Sequence, residues 1–120
     1  MKKVLLIEDD PDTSELMGYL LQRLGFEVRF SYDVLPITDI LKIKPSLIIM
    51  DHRLNTGFGG KLCHKLKNTA STHAIPVMML SASHDVKEIA ETCGANAYLA
   101  KPFDISRFEK TVHRLTEHNN

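Results

Sequence analysis

Four short apolar runs in this 120-residue sequence each deliver a polar group of a kind that does chemistry. Val4-Leu5-Leu6-Ile7 is followed by Glu8, Asp9 and Asp10, and Leu47-Ile48-Ile49-Met50 by Asp51. Val77-Met78-Met79-Leu80 is followed by Ser81 and Ala82, and Ala97-Tyr98-Leu99 leads through Ala100 to Lys101 and Pro102. Carboxylates gathered from neighbouring runs repel and raise one another's pKa unless a cation lies between them. A divalent metal is the natural cation. The donors are hard oxygens, with no histidine pair or thiolate at ligand spacing, which selects magnesium over zinc; magnesium keeps several waters and takes one or two carboxylates plus phosphate. Phosphate chemistry is therefore the expectation. Lys101 can pair with a leftover carboxylate or phosphoryl oxygen, and Ser81 can hydrogen-bond the same oxygen. With no serine or cysteine nucleophile beside a base, the best acceptor is a carboxylate, and aspartyl phosphate is an established covalent intermediate. Asp51, alone on the central run, is that acceptor. Each residue taken singly has an ordinary reading as a solvated acid, turn residue or surface charge; together at four strand ends they read as one site.

These groups need elements to position them. The β-type runs Val4 to Ile7, Glu27 to Phe30, Leu47 to Met50, Val77 to Leu80 and Ala97 to Leu99 alternate with segments of helical spacing. Asp10-Pro11 offers a helix cap and a first-turn proline, and Gly25 a stop, so the first helix runs to about Leu24. Its stripe of Leu16, Met17, Leu20, Leu21 and Leu24 reads as core with an edge broad enough to meet a partner helix. Further helices are expected at about Leu35 to Ile43, Gly60 to Asn68, Asp85 to Cys93 and Ile105 to His118, the last with Ile105, Phe108, Val112 and Leu115 inward. Strands one, three and four are almost continuously apolar, as in a parallel sheet covered on both faces. Right-handed crossovers then give a doubly wound α/β sandwich, read as one domain over residues 1–120. Ligands of such sheets gather beyond the carboxyl ends of the strands.

Composition narrows the function classes. Hydrophobic residues are 43% and charged residues 25%, with 15 acids balancing 15 bases, which disfavours both a disordered chain and direct nucleic acid binding. The apolar run in MKKVLLIEDD is too short for a signal peptide or a membrane span, and a cytoplasmic location with no membrane insertion is expected. Cys63 and Cys93, far apart in sequence and without zinc or redox spacing, read as free thiols in a reducing compartment. Alternation points His52 away from Asp51 and gives it a structural role, while His64, His73, His84, His113 and His118 are expected on exposed faces.

LLIEDDPDTSELM, LIIMD, LSA and AYLAKPF, in this order and spacing, resemble the receiver domain of bacterial two-component response regulators over the whole chain. The resemblance implies a flavodoxin-like (βα)5 fold with strand order 2-1-3-4-5. It implies Mg²⁺ held by Glu8, Asp9, Asp51 and the backbone carbonyl of Arg53, with Asp9 the more direct ligand. Asp51 would be the phosphoacceptor, Ser81 with its small neighbour Ala82 the switch hydroxyl, Lys101 the phosphate-binding lysine, and Lys101-Pro102 a cis peptide. Tyr98 matches the aromatic that turns inward on activation. Asp10 matches a variable position and reads as a helix cap. Departures are Asn55, where the family often has proline, and a large basic Arg53, which together with Ser83 occupies positions that tune acyl-phosphate lifetime; Gly59 matches the usual glycine.

The expectation is a phosphorylation-activated switch. Its phosphodonor would be a histidine kinase or histidine phosphotransfer protein, and its output would pass to a partner protein through the face of the fourth helix, fifth strand and fifth helix. A starting methionine and the polar tail EHNN suggest a complete short protein. The alternatives are a receiver cut from a hybrid kinase or DNA-binding regulator, and a Mg²⁺-dependent hydrolase with an aspartyl-phosphate intermediate. Against the hydrolase, Asp51-His52-Arg53 lacks a second aspartate and there is no capping insertion. A flavodoxin is disfavoured by acids where a phosphate-cradling loop belongs, and a phosphate-blind scaffold by the complete acceptor set.

Overall fold

The computed structural model of the chain describes residues 2–54 and 57–117. Strands β1 (Lys3–Ile7), β2 (Glu27–Ser31), β3 (Leu47–Asp51), β6 (Val77–Ser81) and β7 (Ala97–Ala100) pair in parallel in the order β2-β1-β3-β6-β7. This is the order 2-1-3-4-5 when only the strands of that sheet are counted. Strands β4 (Arg53–Leu54) and β5 (Gly57–Phe58) form a small antiparallel ladder beside it. The helices are α1 (Pro11–Arg23), α2 (Ile37–Ile43), α3 (Gly59–Lys67), α4 (Val86–Cys93) and α5 (Ile105–Glu117).

Alternation along the central strands divides the core in two. Leu5, Ile7, Ile48, Met50, Val77 and Met79 face α2, α3 and α4, packing on Ile40, Leu62, Leu66 and Ala90. Val4, Leu6, Leu47, Ile49, Met78 and Leu80 face α1 and α5, packing on Met17, Leu21, Phe108 and Val112. Every residue of β3 and β6 is buried, which is why those strands read as unbroken apolar runs. The expected consequence is that Ile49→Val lowers stability by only about 0.5–1.5 kcal/mol. Its phosphoryl uptake should match the wild type, as denaturant titration and intact mass would record.

The helix ends follow local chemistry. Asp10 caps α1, accepting from the Thr13 N–H at 3.0 Å and from the Thr13 hydroxyl, with Pro11 opening the helix. Gly25 and Gly94 take left-handed backbone just after α1 and at the end of α4. Several sequence expectations are corrected. Helix α2 starts at Ile37 rather than Leu35, because Pro36 is its extended N-cap and a residue before proline avoids the helical region. Leu16 and Leu24 are 46% and 38% exposed, leaving Met17, Leu20 and Leu21 as the core stripe of α1, and Ile105 is 47% exposed rather than inward. A helix buries a stripe, and these three lie at its margins or ends. Asn55, His118 and the end of the polar tail lie outside the described residues.

Candidate functional site

Because the five strands run in parallel, their carboxyl ends meet at one edge. The register sets Ile7 beside Met50, Asp51 beside Leu80 and Ser81 beside Ala100, so Glu8, Asp51, Ser81 and Lys101 come from successive strands β1, β3, β6 and β7. The ladder continues slightly past the strand ends: the Glu8 N–H donates to Ser31 O at 3.0 Å, the His52 N–H to Leu80 O at 2.9 Å and the Lys101 N–H to Ser81 O at 2.9 Å. The site residues are thus mounted on sheet hydrogen bonds rather than on a free loop. The Lys101–Pro102 peptide bond is cis.

Lys101 is the centre of the arrangement. Its Nζ donates to Glu8 Oε1 at 2.5 Å and to Asp51 Oδ2 at 2.8 Å. The side chains are largely withdrawn from water, with exposures of 18% for Lys101, 0% for Glu8 and 12% for Asp51. The other Asp51 oxygen accepts from the Arg53 N–H at 3.2 Å. Burial of Glu8 and the nearby negative charge of Asp51 push its carboxyl up to about 7, against the pull of the Lys101 hydrogen bond. Burial works against the Lys101 ammonium, but its hydrogen bonds to Asp51 and Glu8 prevail and raise its pKa. One ammonium serving two buried carboxylates leaves the cluster short of positive charge.

Glu8, Asp9 and Asp51 each present an oxygen within 4.8 Å of the others. A carboxylate raised to about 7 by burial and a like charge marks a place where a divalent cation relieves repulsion, and an all-oxygen donor set suits Mg²⁺. The residues therefore fit the metal that the donor chemistry implies. Beside them is a cleft of about 380 Å³ whose lining includes Asp51, Arg53, Ser81, Ala82, Ser83 and Lys101. The Ser81 hydroxyl, on a 1% exposed residue, accepts from the Ser83 N–H at 3.0 Å. Ser83 in turn hydrogen-bonds Asp85, holding the Asp85 carboxyl below its ordinary range.

Tyr98 does not join this cluster. It is 40% exposed and lines a separate cleft with Glu91 and Arg107, on α4 and α5. His52 turns away from Asp51, its Nδ1 accepting from the Gly60 N–H at 3.2 Å and its ring stacking on Phe58 at 5.2 Å. His84, expected only as an exposed residue, also lines the acceptor cleft; nothing in its spacing distinguishes it. Cys63 and Cys93 are free and buried on α3 and α4.

A doubly wound sheet with an acid cluster, a buried lysine and a hydroxyl at its carboxyl edge defines a phosphate-handling α/β module. The model of the response regulator receiver domain matches residues 4–113, and the chain belongs to that family. It is 31% identical over 118 residues to the DNA-binding dual master transcriptional regulator RpaA of Synechocystis, covering 96% of this chain and 49% of that protein. The chain spans about half the length of such curated relatives. A putative response regulator from Chloroflexus aurantiacus superposes with a TM-score of 0.90 at 28% identity, covering 97% of this chain and 98% of that one. The receiver domain of a sensor histidine kinase from Pseudomonas aeruginosa, with a magnesium ion coordinated in its active-site cleft, superposes at 0.81. It is 24% identical, over 97% of this chain and 98% of that chain. The chain is a two-component receiver, and its kin are signalling domains with no support for the hydrolase alternative. Among the described residues no helix is long and apolar enough to cross a membrane.

Proposed function

We propose that Asp51 accepts a phosphoryl group from a histidine-phosphorylated kinase or phosphotransfer protein, or from a small acyl phosphate, and that the modified chain regulates a protein partner. The observation that carries this reading is the Lys101 ammonium on Asp51 Oδ2 at 2.8 Å, at the edge where Glu8 and Asp9 complete the acid cluster. Asp51 is fixed by Lys101 and the Arg53 N–H, so its carboxylate is oriented before any donor arrives. Such preorganisation lowers the barrier to in-line attack. Glu8, Asp9, Asp51 and the carbonyl of Arg53 would hold Mg²⁺, which supplies charge neutralisation to the transferring group.

Ser81, with Ala82 as its small neighbour, would then turn from the Ser83 N–H towards the new phosphoryl oxygens, while Lys101 neutralises another. Movement of that hydroxyl opens room for Tyr98 to turn inward, changing the surface of α4, β7 and α5 that a partner reads. The phosphoryl charge thereby shifts a population between two conformations. Arg53 and Ser83, both lining the acceptor cleft, govern how easily water reaches the acyl phosphate. The work is done in the cytoplasm, on the chain's own Asp51 rather than on a turned-over substrate. The half-length match to DNA-binding regulators favours one second reading, in which this receiver controls an output domain of a longer protein.

The test is incubation of wild type and Asp51→Asn with acetyl phosphate, with and without Mg²⁺, followed by intact mass at short times. One added phosphoryl group that needs both Mg²⁺ and Asp51 is the expected result. An equal yield of phosphoprotein from Asp51→Asn would remove Asp51 as the acceptor.

A further inference from the structure

A second concavity lies away from the acid cluster. It is a groove of about 740 Å³ between α3 and α4, lined by residues of both helices and including Cys93. Cys63, in the middle of α3, is buried with Cys93 in one core cluster. Although 30 residues separate them in sequence, Cys63 Sγ is 3.5 Å from the Cys93 carbonyl oxygen. The two thiols are close enough for each to perturb the ionisation of the other. Cys93 Sγ is in turn 3.5 Å from the Ala90 carbonyl. A third group completes the cluster: Lys67, one turn beyond Cys63, whose Nζ donates to His73 O at 3.2 Å and Ile75 O at 2.7 Å. Those carbonyls fix its ammonium where its charge acts on both sulfurs.

We propose that Cys63 and Cys93 are a peroxide-sensitive dithiol, with Cys93 the attacking sulfur and Cys63 the resolving one, and that its oxidation staples α3 to α4. Three observations assign the roles. Cys93 lines the groove, through which a small hydroperoxide can approach, whereas Cys63 is 0% exposed and does not line it. Interaction with the Cys63 thiol and the positive charge of Lys67 lower the Cys93 thiol to about 7 against the opposing effect of burial. The same interaction and burial push Cys63 up, so it keeps its proton. A thiolate near neutral pH beside a protonated partner thiol is the arrangement that favours oxidation at one sulfur and resolution by the other.

The chemistry closes without a further reagent beyond the hydroperoxide. The Cys93 thiolate attacks the outer peroxide oxygen and the O–O bond breaks, giving Cys93 sulfenic acid and an alkoxide or hydroxide that takes a proton. The Cys63 sulfur then displaces the hydroxyl of the sulfenic acid, forming the disulfide and releasing water. Both sulfurs are oxidised and one hydroperoxide is reduced to an alcohol or to water. The staple would join α3, which begins at Gly59 against the backbone of Asp51 and His52, to α4, which follows the Ser81 segment. It thus ties together two elements that flank the acceptor edge, by chemistry independent of phosphorylation.

The full chain, reduced and then freed of reductant, is treated with hydrogen peroxide, quenched with N-ethylmaleimide and mapped by peptide mass spectrometry. The expected product is a monomer lighter by two hydrogen atoms that takes no maleimide and yields one peptide linked through Cys63 and Cys93. In Cys63→Ala, a dimedone-type probe should capture sulfenic acid on Cys93. In Cys93→Ala, oxidation of Cys63 should be at least about tenfold slower than wild-type thiol loss. Survival of both thiols at doses that oxidise free cysteine, covalent dimers in place of the internal link, or faster oxidation at Cys63 would each overturn the assignment. The wild-type mapping decides the matter even if a variant fails to fold.

Discussion

Lys101→Met should destabilise the metal-free protein by about 3–5 kcal/mol, the usual consequence of removing one partner from a buried ion pair. The partial exposure of the ammonium places the effect towards the lower end of that range. Two acids lose their cation at once, since Nζ lies 2.5 Å from Glu8 and 2.8 Å from Asp51. The methionine fills much of the same volume, so the loss is one of charge rather than packing. The pH dependence separates the two. Glu8 titrates at about 7 in the fold against 4.5 ordinarily, chiefly through burial, so the folded state binds its proton more tightly than the unfolded chain does. The protonated carboxyl therefore favours folding at low pH, and that contribution is lost as pH rises through about 7. Removing Lys101 takes away the interaction that most favours the charged form of Glu8, so the gap between wild type and variant should widen from about pH 5.5 to about pH 8. Urea titrations in chelator at the two pH values measure it, and a gap that does not change with pH would show that Glu8 does not depend on Lys101. Phosphoryl uptake from acetyl phosphate should fall at least about tenfold in the same variant, because the ammonium that contacts the acceptor oxygen is gone.

The sheet and its site differ in how much of each could be read from residues alone. β1, β3 and β6 announce themselves because a strand buried on both faces must be apolar throughout, and a polar residue at its end then stands out. The acid cluster and Ser81 were legible for that reason, whereas Lys101 follows the half-exposed strand β7 and was legible from its place at the end of the fifth β-type run, before Pro102. What spacing cannot carry is which partner a long side chain chooses: Lys101 could have taken one carboxylate, and it takes both Glu8 and Asp51. Helix margins were equally opaque, since Leu16, Leu24 and Ile105 have core-like side chains but lie where the helices turn towards solvent. The short ladder of Arg53–Leu54 with Gly57–Phe58 is hidden in a glycine-rich stretch with no alternating pattern. The pairing of Cys63 with Cys93 depends on α3 lying against α4, a tertiary fact that a 30-residue separation conceals.

Gly59→Ala should lower stability by about 3 kcal/mol or more, at the upper end for overpacking, because the obstacle is backbone. A Cβ at this position would stand 2.2 Å from the Asp51 carbonyl oxygen and 3.3 Å from the His52 Cα, neither of which a rotamer change can move. Gly59 opens α3, and its N–H donates to His52 O at 2.6 Å, closing the chain over the end of β3. Helix propensity alone predicts the opposite sign, since alanine is favoured over glycine in a helix by roughly 1 kcal/mol. The direction of the change thus decides whether close approach or propensity governs the position. Gly60→Ala is the matched control: its Cβ would meet the His52 ring at 3.0 Å, a side chain with freedom to shift, and its penalty should be clearly smaller. The displaced backbone is that of Asp51 itself, and a misplacement of about 1 Å at a reacting group lowers rate by roughly a hundredfold. Gly59→Ala should therefore lose phosphoryl uptake under conditions where it is still folded, while Gly60→Ala retains most of it. Denaturant midpoints and intact-mass time courses on both variants test this together. A Gly59→Ala protein as stable and as readily phosphorylated as the wild type would mean that the end of β3 yields to α3, and that the acceptor is not held by the rigid contact described.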